Sequence, residues 1–237
     1  LVKMDWLMSS RANAQRIWNW YSQKDQGGGV IGALGTHAID ILHWLIGPTS
    51  KVNGLISTSI KERYCTISNQ LKSVTSEDIC LAQLELLGLR SNLSIPAQLT
   101  LSSVSREGRG CWLEVYGSKG TLILGSDNQS DYVHGFGLWF AEKDKKLRSI
   151  KPENGFNFEK TWGDGRIAPV GRIQKLWGES IKNGNPMIPG LSEGISSQKV
   201  CDSLKTNIII AVAMAVINME ISISNSVNPL IYFLLMF

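Results

Sequence analysis

The chemistry this sequence can carry is concentrated where His37 and Asp40 stand three residues apart in GTHAIDILHW. On a helix, side chains three and four positions apart share a face, which puts Ala33, His37, Asp40 and Trp44 on one stripe. A carboxylate there can accept from one imidazole nitrogen and fix the tautomer. The other nitrogen is then free to exchange a proton with a substrate hydroxyl. A His–Asp hydrogen bond that merely satisfies two half-buried side chains fits the same spacing. His43, one turn from Asp40, reads as an exposed neighbour.

Upstream, Trp18 and Trp20 sit in a polar loop with Arg16, Lys24 and Asp25. Indole faces beside hydrogen-bonding groups suit a sugar or polyol, whose C–H face is apolar while its hydroxyls are not. Tryptophans covering the edge of a sheet would look the same. Gly27, Gly29 and Gly32 match Gly-x-Gly-x-x-Gly, but YSQKDQ precedes them where a dinucleotide fingerprint needs a buried strand, and no acidic residue ends a following strand. They read instead as a tight entry into a helix packed close to a sheet, so no cofactor-binding residue is assigned. The chain has no Gly-x-Ser-x-Gly elbow, no His-Glu-x-x-His and no phosphate loop. With His37, His43 and His134 as its only histidines, no metal site is assigned either.

The elements that must position these groups are legible from periodicity. LVKMDWLM alternates like a strand. Ile31, Leu34, Ala38, Ile41 and Leu45 then mark an amphipathic helix of about four turns, stopped by Gly47-Pro48. From roughly Lys51 to Lys151 short strands follow one another: KVNGLISTSI, DICLAQLEL, NLSIPAQLTLSSV, CWLEVYG, GTLILG, YVHGFGLWF and KLRSI, with a tight hairpin at Gly117-Ser118-Lys119-Gly120. Segments 173–183 and 192–205 read as helices that pack back on the sheet. The expected class is α+β: a large, predominantly antiparallel sheet with helices on one face.

Composition narrows the function. With 237 residues, 43% of them hydrophobic and 19% charged, the chain can bury one sizeable core. The net charge of +4 is spread without a basic block, which excludes a nucleic-acid partner as the expectation. Cys65, Cys80, Cys111 and Cys201 lack metal or redox spacing and read as reduced thiols of a cytoplasmic protein. No secretory leader follows Leu1, and a start at Leu1 rather than Met points to a fragment. Ten apolar residues run from Ile208 to Ile217 and LIYFLLMF ends the chain; Glu220, Asn225 and Asn228-Pro229 interrupt what a membrane span of about 20 residues would need, so a buried helix with an atypical end is expected.

WNWYSQKDQGGGVIGALGTHAIDILHWLIGP resembles the signature of the glucose-fructose oxidoreductase, inositol dehydrogenase and rhizopine-catabolism family (Gfo/Idh/MocA). There a tryptophan and an acidic residue precede a glycine triplet, a His-x-x-Asp helix and Trp-Leu-x-Gly. LEVYGSKGTLIL resembles the family's hairpin, and SIKNGNP with GISSQKVCDS its closing helices. The resemblance implies a two-domain parent whose Rossmann half, absent here, holds NAD or NADP through its own residues and a catalytic lysine. Residues 1–207 would be the substrate-binding and oligomerisation domain, with 208–237 as an apolar tail. His37 would be catalytic, with Asp40, Trp20 and Asp25 at the substrate, a sugar or a cyclic polyol such as inositol. The open sheet face would carry a homo-oligomer. The chain alone would be inactive. Many members carry an Asp four residues before the histidine; here that residue is Ala33, so the relay is incomplete, and a non-catalytic sugar-binding or oligomerisation module is the alternative.

Overall fold

Alternation sets the sheet. In strand β1 (Val2–Leu7), Val2, Met4 and Trp6 are buried while Lys3, Asp5 and Leu7 between them are half-covered, the period of two that puts successive side chains on opposite faces. A computed structural model describes residues 1–89, 93–128, 135–151, 167–206 and the backbone of 210–211. His134 and the tail 212–237 lie outside the described residues.

The strands that follow are β2 (Thr49–Ser57), β3 (Glu62–Cys65), β4 (Gln70–Ser73), β5 (Ile79–Leu87), β6 (Ser94–Ser102), β7 (Gly110–Gly117), β8 (Gly120–Ser126), β9 (Gly137–Glu142), β10 (Arg148–Ile150) and the short β11 (Ile210–Ala211). Among the described residues nine of them form one sheet in the order β10-β9-β8-β7-β1-β6-β5-β2-β11. All pairs are antiparallel but one: β1 runs parallel to β6 and antiparallel to β7, filling the middle of the sheet with the first residues of the chain. The architecture is therefore α+β with a large, mostly antiparallel sheet.

One face of that sheet is covered. Helix α1 (Thr36–Leu45) and helix α3 (Leu191–Thr206) pack on each other, and α3 packs on β2. Ile39, Leu42, Val200, Cys201 and Leu204 from the helices form one core with Met4, Leu86, Leu99 and Leu101 from the strands. Among the described residues the opposite face is uncovered, with Asn53, Gln83 and Gln98 exposed. A row of Asn53, Gln83, Gln98, Lys3, Glu114, Ile123 and Trp139 crosses six strand boundaries in register. Trp112 and Trp139 stack there at 5.6 Å, with the Arg109 guanidinium 4.1 Å above Trp112. The two indoles lie on the paired glycines Gly125 and Gly137, where an added Cβ would come within 2.4 Å and 2.3 Å of them.

Two elements differ from expectation. The segment 61–73, unassigned from its pattern, forms the β3–β4 hairpin, and this hairpin rather than the main sheet holds the tryptophan loop. Buried Arg63 donates to the carbonyls of Arg11 and Asn13, both at 2.7 Å, while Trp18 donates from its amide to Tyr64 O and from Nε1 to Ser73 O. Helix α2 (Ile167–Asn183) does not pack back on the sheet: Pro169 is its buried residue, and Val170, Ile173, Trp177 and Ile181 are exposed.

Arg63 is the chief anchor of residues 11–16, and its loss leaves three carbonyls without their charged donor. Arg63→Ala should lower the unfolding free energy by about 2–3 kcal/mol in denaturant titrations and accelerate proteolysis between residues 10 and 20.

Candidate active site

Three glycines open the site. Gly28 lies so close to Tyr21 that a Cβ would sit 2.3 Å from its carbonyl oxygen. Gly29, at φ +99°, is pressed against the carboxylate of Glu77, where a Cβ would be 2.4 Å from Oε1. Glu77 is buried; its Oε1 accepts from the amide of Ile31 at 3.0 Å, and its backbone carbonyl accepts from the amide of Val30. One acidic residue two positions before β5 thus satisfies the first amides of the helical segment.

That segment begins with a π-helical turn, Ile31–Gly35, before α1 proper. Its wider i to i+5 ladder shifts the phase of what precedes Thr36. The stripe expected from 3.6-residue spacing holds only in part. Ile31, Ala38 and Ile41 are buried, Leu34 and Leu45 half-buried, and Ile39 and Leu42 take the innermost positions instead. His37 is exposed on the outer side of α1. Asp40, one turn on, is half-buried toward α3, where it accepts a long hydrogen bond from Ser197 Oγ at 3.5 Å. Burial raises the Asp40 carboxyl above the ordinary carboxylate range; Ser197 opposes this, nearby Glu193 adds to it, and His37 is close enough to oppose it through charge. His37 and Asp40 are thus brought together electrostatically, but the carboxylate's hydrogen bond goes to α3.

His43 corrects the expectation of an exposed neighbour. Its Nε2 lies 2.8 Å from Thr49 Oγ1 and accepts from the Thr49 amide at 3.2 Å, and its Nδ1 lies 3.3 Å from Ser196 Oγ. An amide can only donate, so Nε2 is unprotonated and Nδ1 carries the hydrogen toward Ser196. Burial pushes this imidazole down to about 4. It is a neutral clamp between α1, the start of β2 and α3. The helix packs it inward because α3 supplies a polar partner on that side, which spacing along α1 alone does not show.

Trp20 and Asp25 are both exposed in the loop that feeds the glycines. Trp20 opens a single 3-10 turn, Trp20–Ser22, capped by the Asn19 side chain, and its ring meets Tyr21 edge-on at 5.8 Å. Gly27, Gly29 and Gly32 do not fit a dinucleotide. The position at the helix start that a pyrophosphate would take already holds the buried Glu77 carboxylate, and turns rather than a strand precede it. Among the described residues no three His, Cys, Asp or Glu side chains come together to hold a metal ion, and no helix is long and apolar enough to cross a membrane.

A family model described as the oxidoreductase family, C-terminal alpha/beta domain, matches residues 1–206. An uncharacterized oxidoreductase of Synechocystis sp. is 43% identical over 206 residues, covering 86% of this chain and 54% of its own length. Glucose-fructose oxidoreductase domain-containing protein 1 of Mus musculus is 27% identical over 146 residues, 59% of this chain and 35% of its own. Among solved structures, levoglucosan dehydrogenase in complex with NADH and levoglucosan superposes with a TM-score of 0.70 at 17% identity, over 87% of this chain and 55% of that one. That last likeness is one of fold. The chain spans about half the length of the Synechocystis relative and about a third of the mouse one.

The His43 clamp makes stability depend on pH. Its folded value, about 4, lies below the ordinary 6.5, so its contribution is complete above pH 6.5 and is lost as pH falls toward 4, by about 3 kcal/mol in all. Replacing His43 by Gln should remove that part of the slope when unfolding free energies of the two proteins are compared between pH 7 and 4. Gly29→Ala should cost about 1–3 kcal/mol by the same titration, since the left-handed backbone and the Glu77 contact both oppose a Cβ.

Proposed function

Because this chain belongs to the oxidoreductase family of the C-terminal alpha/beta domain, Gfo/Idh/MocA, we propose that it is the substrate-side half of an NAD(P)-dependent oxidoreductase acting on a hydroxyl of a sugar or cyclic polyol, inositol included. The observation that carries this reading is His37: an exposed imidazole on a helix whose inner side is locked into the core, beside a half-buried carboxyl. In this reading residues 1–207 form the substrate and oligomerisation domain and 208–237 a separate tail. NAD(P), bound by another part of the parent protein, would supply the acceptor for a hydride from the carbinol carbon. His37 takes the hydroxyl proton, so that one C–H and one O–H bond break as the carbonyl forms.

Asp40 holds a neighbouring hydroxyl, which its raised affinity for a proton suits: the carboxyl can accept from substrate as a carboxylate or donate to it when neutral. Trp20 and Asp25 offer an apolar ring face and an acceptor from the loop that enters the helix. The open sheet face, with its stacked Trp112 and Trp139, serves a homo-oligomer contact. A cytoplasmic setting accompanies this reading, supported by four free, buried cysteines, three of which burial pushes up to about 12.

A second reading has its own support. Ala33 stands where many relatives of the resembled family carry an Asp, and Asp40 bonds to Ser197 rather than orienting His37. A sugar-binding or assembly module without catalysis follows from that pair of facts.

His37→Ala in the intact parent separates the two. The catalytic reading expects kcat to fall by about 10²–10⁴-fold with NAD(P)H affinity unchanged, because His37 is exposed and its removal leaves the core intact. Unchanged turnover ends that reading. A parent that binds sugar and self-associates but has no turnover favours the module.

A further inference from the structure

The Asp40 carboxylate has two neighbours that could engage it. His37 stands three residues back on α1, and Ser197 faces it from α3. The hydrogen bond goes to α3: Ser197 Oγ donates to Asp40 Oδ1 at 3.5 Å, and among the described residues this is the hydrogen bond that the carboxylate makes. Ser197 is 2% exposed, so its hydroxyl cannot turn to solvent. A buried serine inside a helix ordinarily returns its hydroxyl to a carbonyl one turn back, as Ser203 does further along α3 by donating to Lys199 O at 2.8 Å. Ser197 reaches across to α1 instead.

The part of α3 that carries this hydroxyl is itself held in place. Ser196 meets His43 Nδ1 at 3.3 Å, and Glu193 fixes the start of the helix by accepting from the Gly190 amide at 2.6 Å. The donor is therefore offered to Asp40 from a fixed backbone. The titratable groups around Asp40 are His37 and His43 on α1 and Glu193 on α3. Burial raises its carboxyl and Glu193 adds to that; the Ser197 hydroxyl is the stronger of the two influences that oppose it, ahead of the charge of His37. A carboxylate accepts at both oxygens, so with Oδ1 engaged toward α3 the other remains for a substrate hydroxyl.

We infer that Ser197 is a positioning residue for the proposed reaction: its hydroxyl holds the Asp40 carboxylate toward α3, so that Asp40 serves as an acceptor for a substrate hydroxyl and does not close onto His37. This rests on the oxidoreductase reading. The two α1 side chains then keep separate tasks, with His37 left to take the proton of the reacting hydroxyl while Asp40 holds its neighbour.

The test is Ser197→Ala in the intact parent, with Ser196→Ala as the control on the neighbouring hydroxyl. Assayed with NAD(P) and D-glucose, levoglucosan or myo-inositol, Ser197→Ala should raise KM about three- to ten-fold, the worth of one hydrogen bond, with kcat within about two-fold. The acid limb of kcat/KM should move to higher pH, because without the donor the Asp40 carboxyl rises further and its charge is lost sooner as pH falls. Ser196→Ala should leave that limb in place. Added to Asp40→Asn, Ser197→Ala should change KM no further, since its effect passes through the carboxylate. An unmoved acid limb overturns the inference, and so does a KM penalty that persists in the Asp40→Asn background or that Ser196→Ala reproduces. Carbon NMR of this chain labelled at aspartate, with Asp40→Asn to assign the signal, follows the carboxyl without substrate: Ser197→Ala should raise its titration midpoint. A parent with no turnover ends the oxidoreductase reading; the hold of Ser197 on Asp40 is then decided by that titration, and an unmoved midpoint overturns it.

Discussion

The site depends on one buried carboxylate. Glu77 reaches from just before β5 to the first amides of the π-helical turn and presses against Gly29, so the sheet, the glycine elbow and the helix share a single junction. A residue with a side chain at Gly29 would push that carboxylate away, and a helix without its acceptor would begin elsewhere. The position of His37, six residues beyond Ile31, follows from this junction. The same carboxyl group occupies the helix start, which leaves no room there for a phosphate.

On its other side α1 is held by α3 through a mixture of apolar and polar contacts. Val200, Cys201 and Leu204 meet Ile39 and Leu42 in the core, while Ser196 and Ser197 reach His43 and Asp40. The two polar pairs behave differently because their burial and partners differ. His43 is enclosed and made neutral by donors on one nitrogen and an acceptor on the other, and it acts as structure. Asp40, half-buried and weakly bonded, keeps capacity for a further hydrogen bond, and His37 is exposed.

Much of this was legible in the sequence. Alternation in VKMDWL, in ICLAQLELL and in SIPAQLTLS marks strands because each has one face in the core, and the family signature places His37 and Asp40 on a helix after a glycine triplet. What was not legible arises from contacts between distant segments. Glu77 in the polar run TSED carries no local mark of a helix-capping acid 46 residues from its partner. His43 looks like a surface residue until α3 brings Ser196, 153 residues away, against it. The β3–β4 hairpin leaves no mark in the sequence because its strands are four residues long and mostly exposed, so they lack the apolar alternation that identifies a half-buried strand. The π-helical turn, in turn, breaks the 3.6-residue rule on which the expected stripe relied.

The place of β1 in the middle of the sheet also governs how the chain can fold as it is made. Both neighbours of β1 come late: β6 begins at Ser94 and β7 at Gly110, so β1 must wait for some hundred further residues before either edge is paired. At about 5–20 residues per second that interval is on the order of ten seconds, during which Val2, Met4 and Trp6 line an unpaired strand. Long-range parallel pairing is slow to form for the same entropic reason. The charged pair Lys3 and Asp5, 2.9 Å apart in the finished sheet, alternates with those apolar residues and works against premature edge-to-edge association while they are exposed.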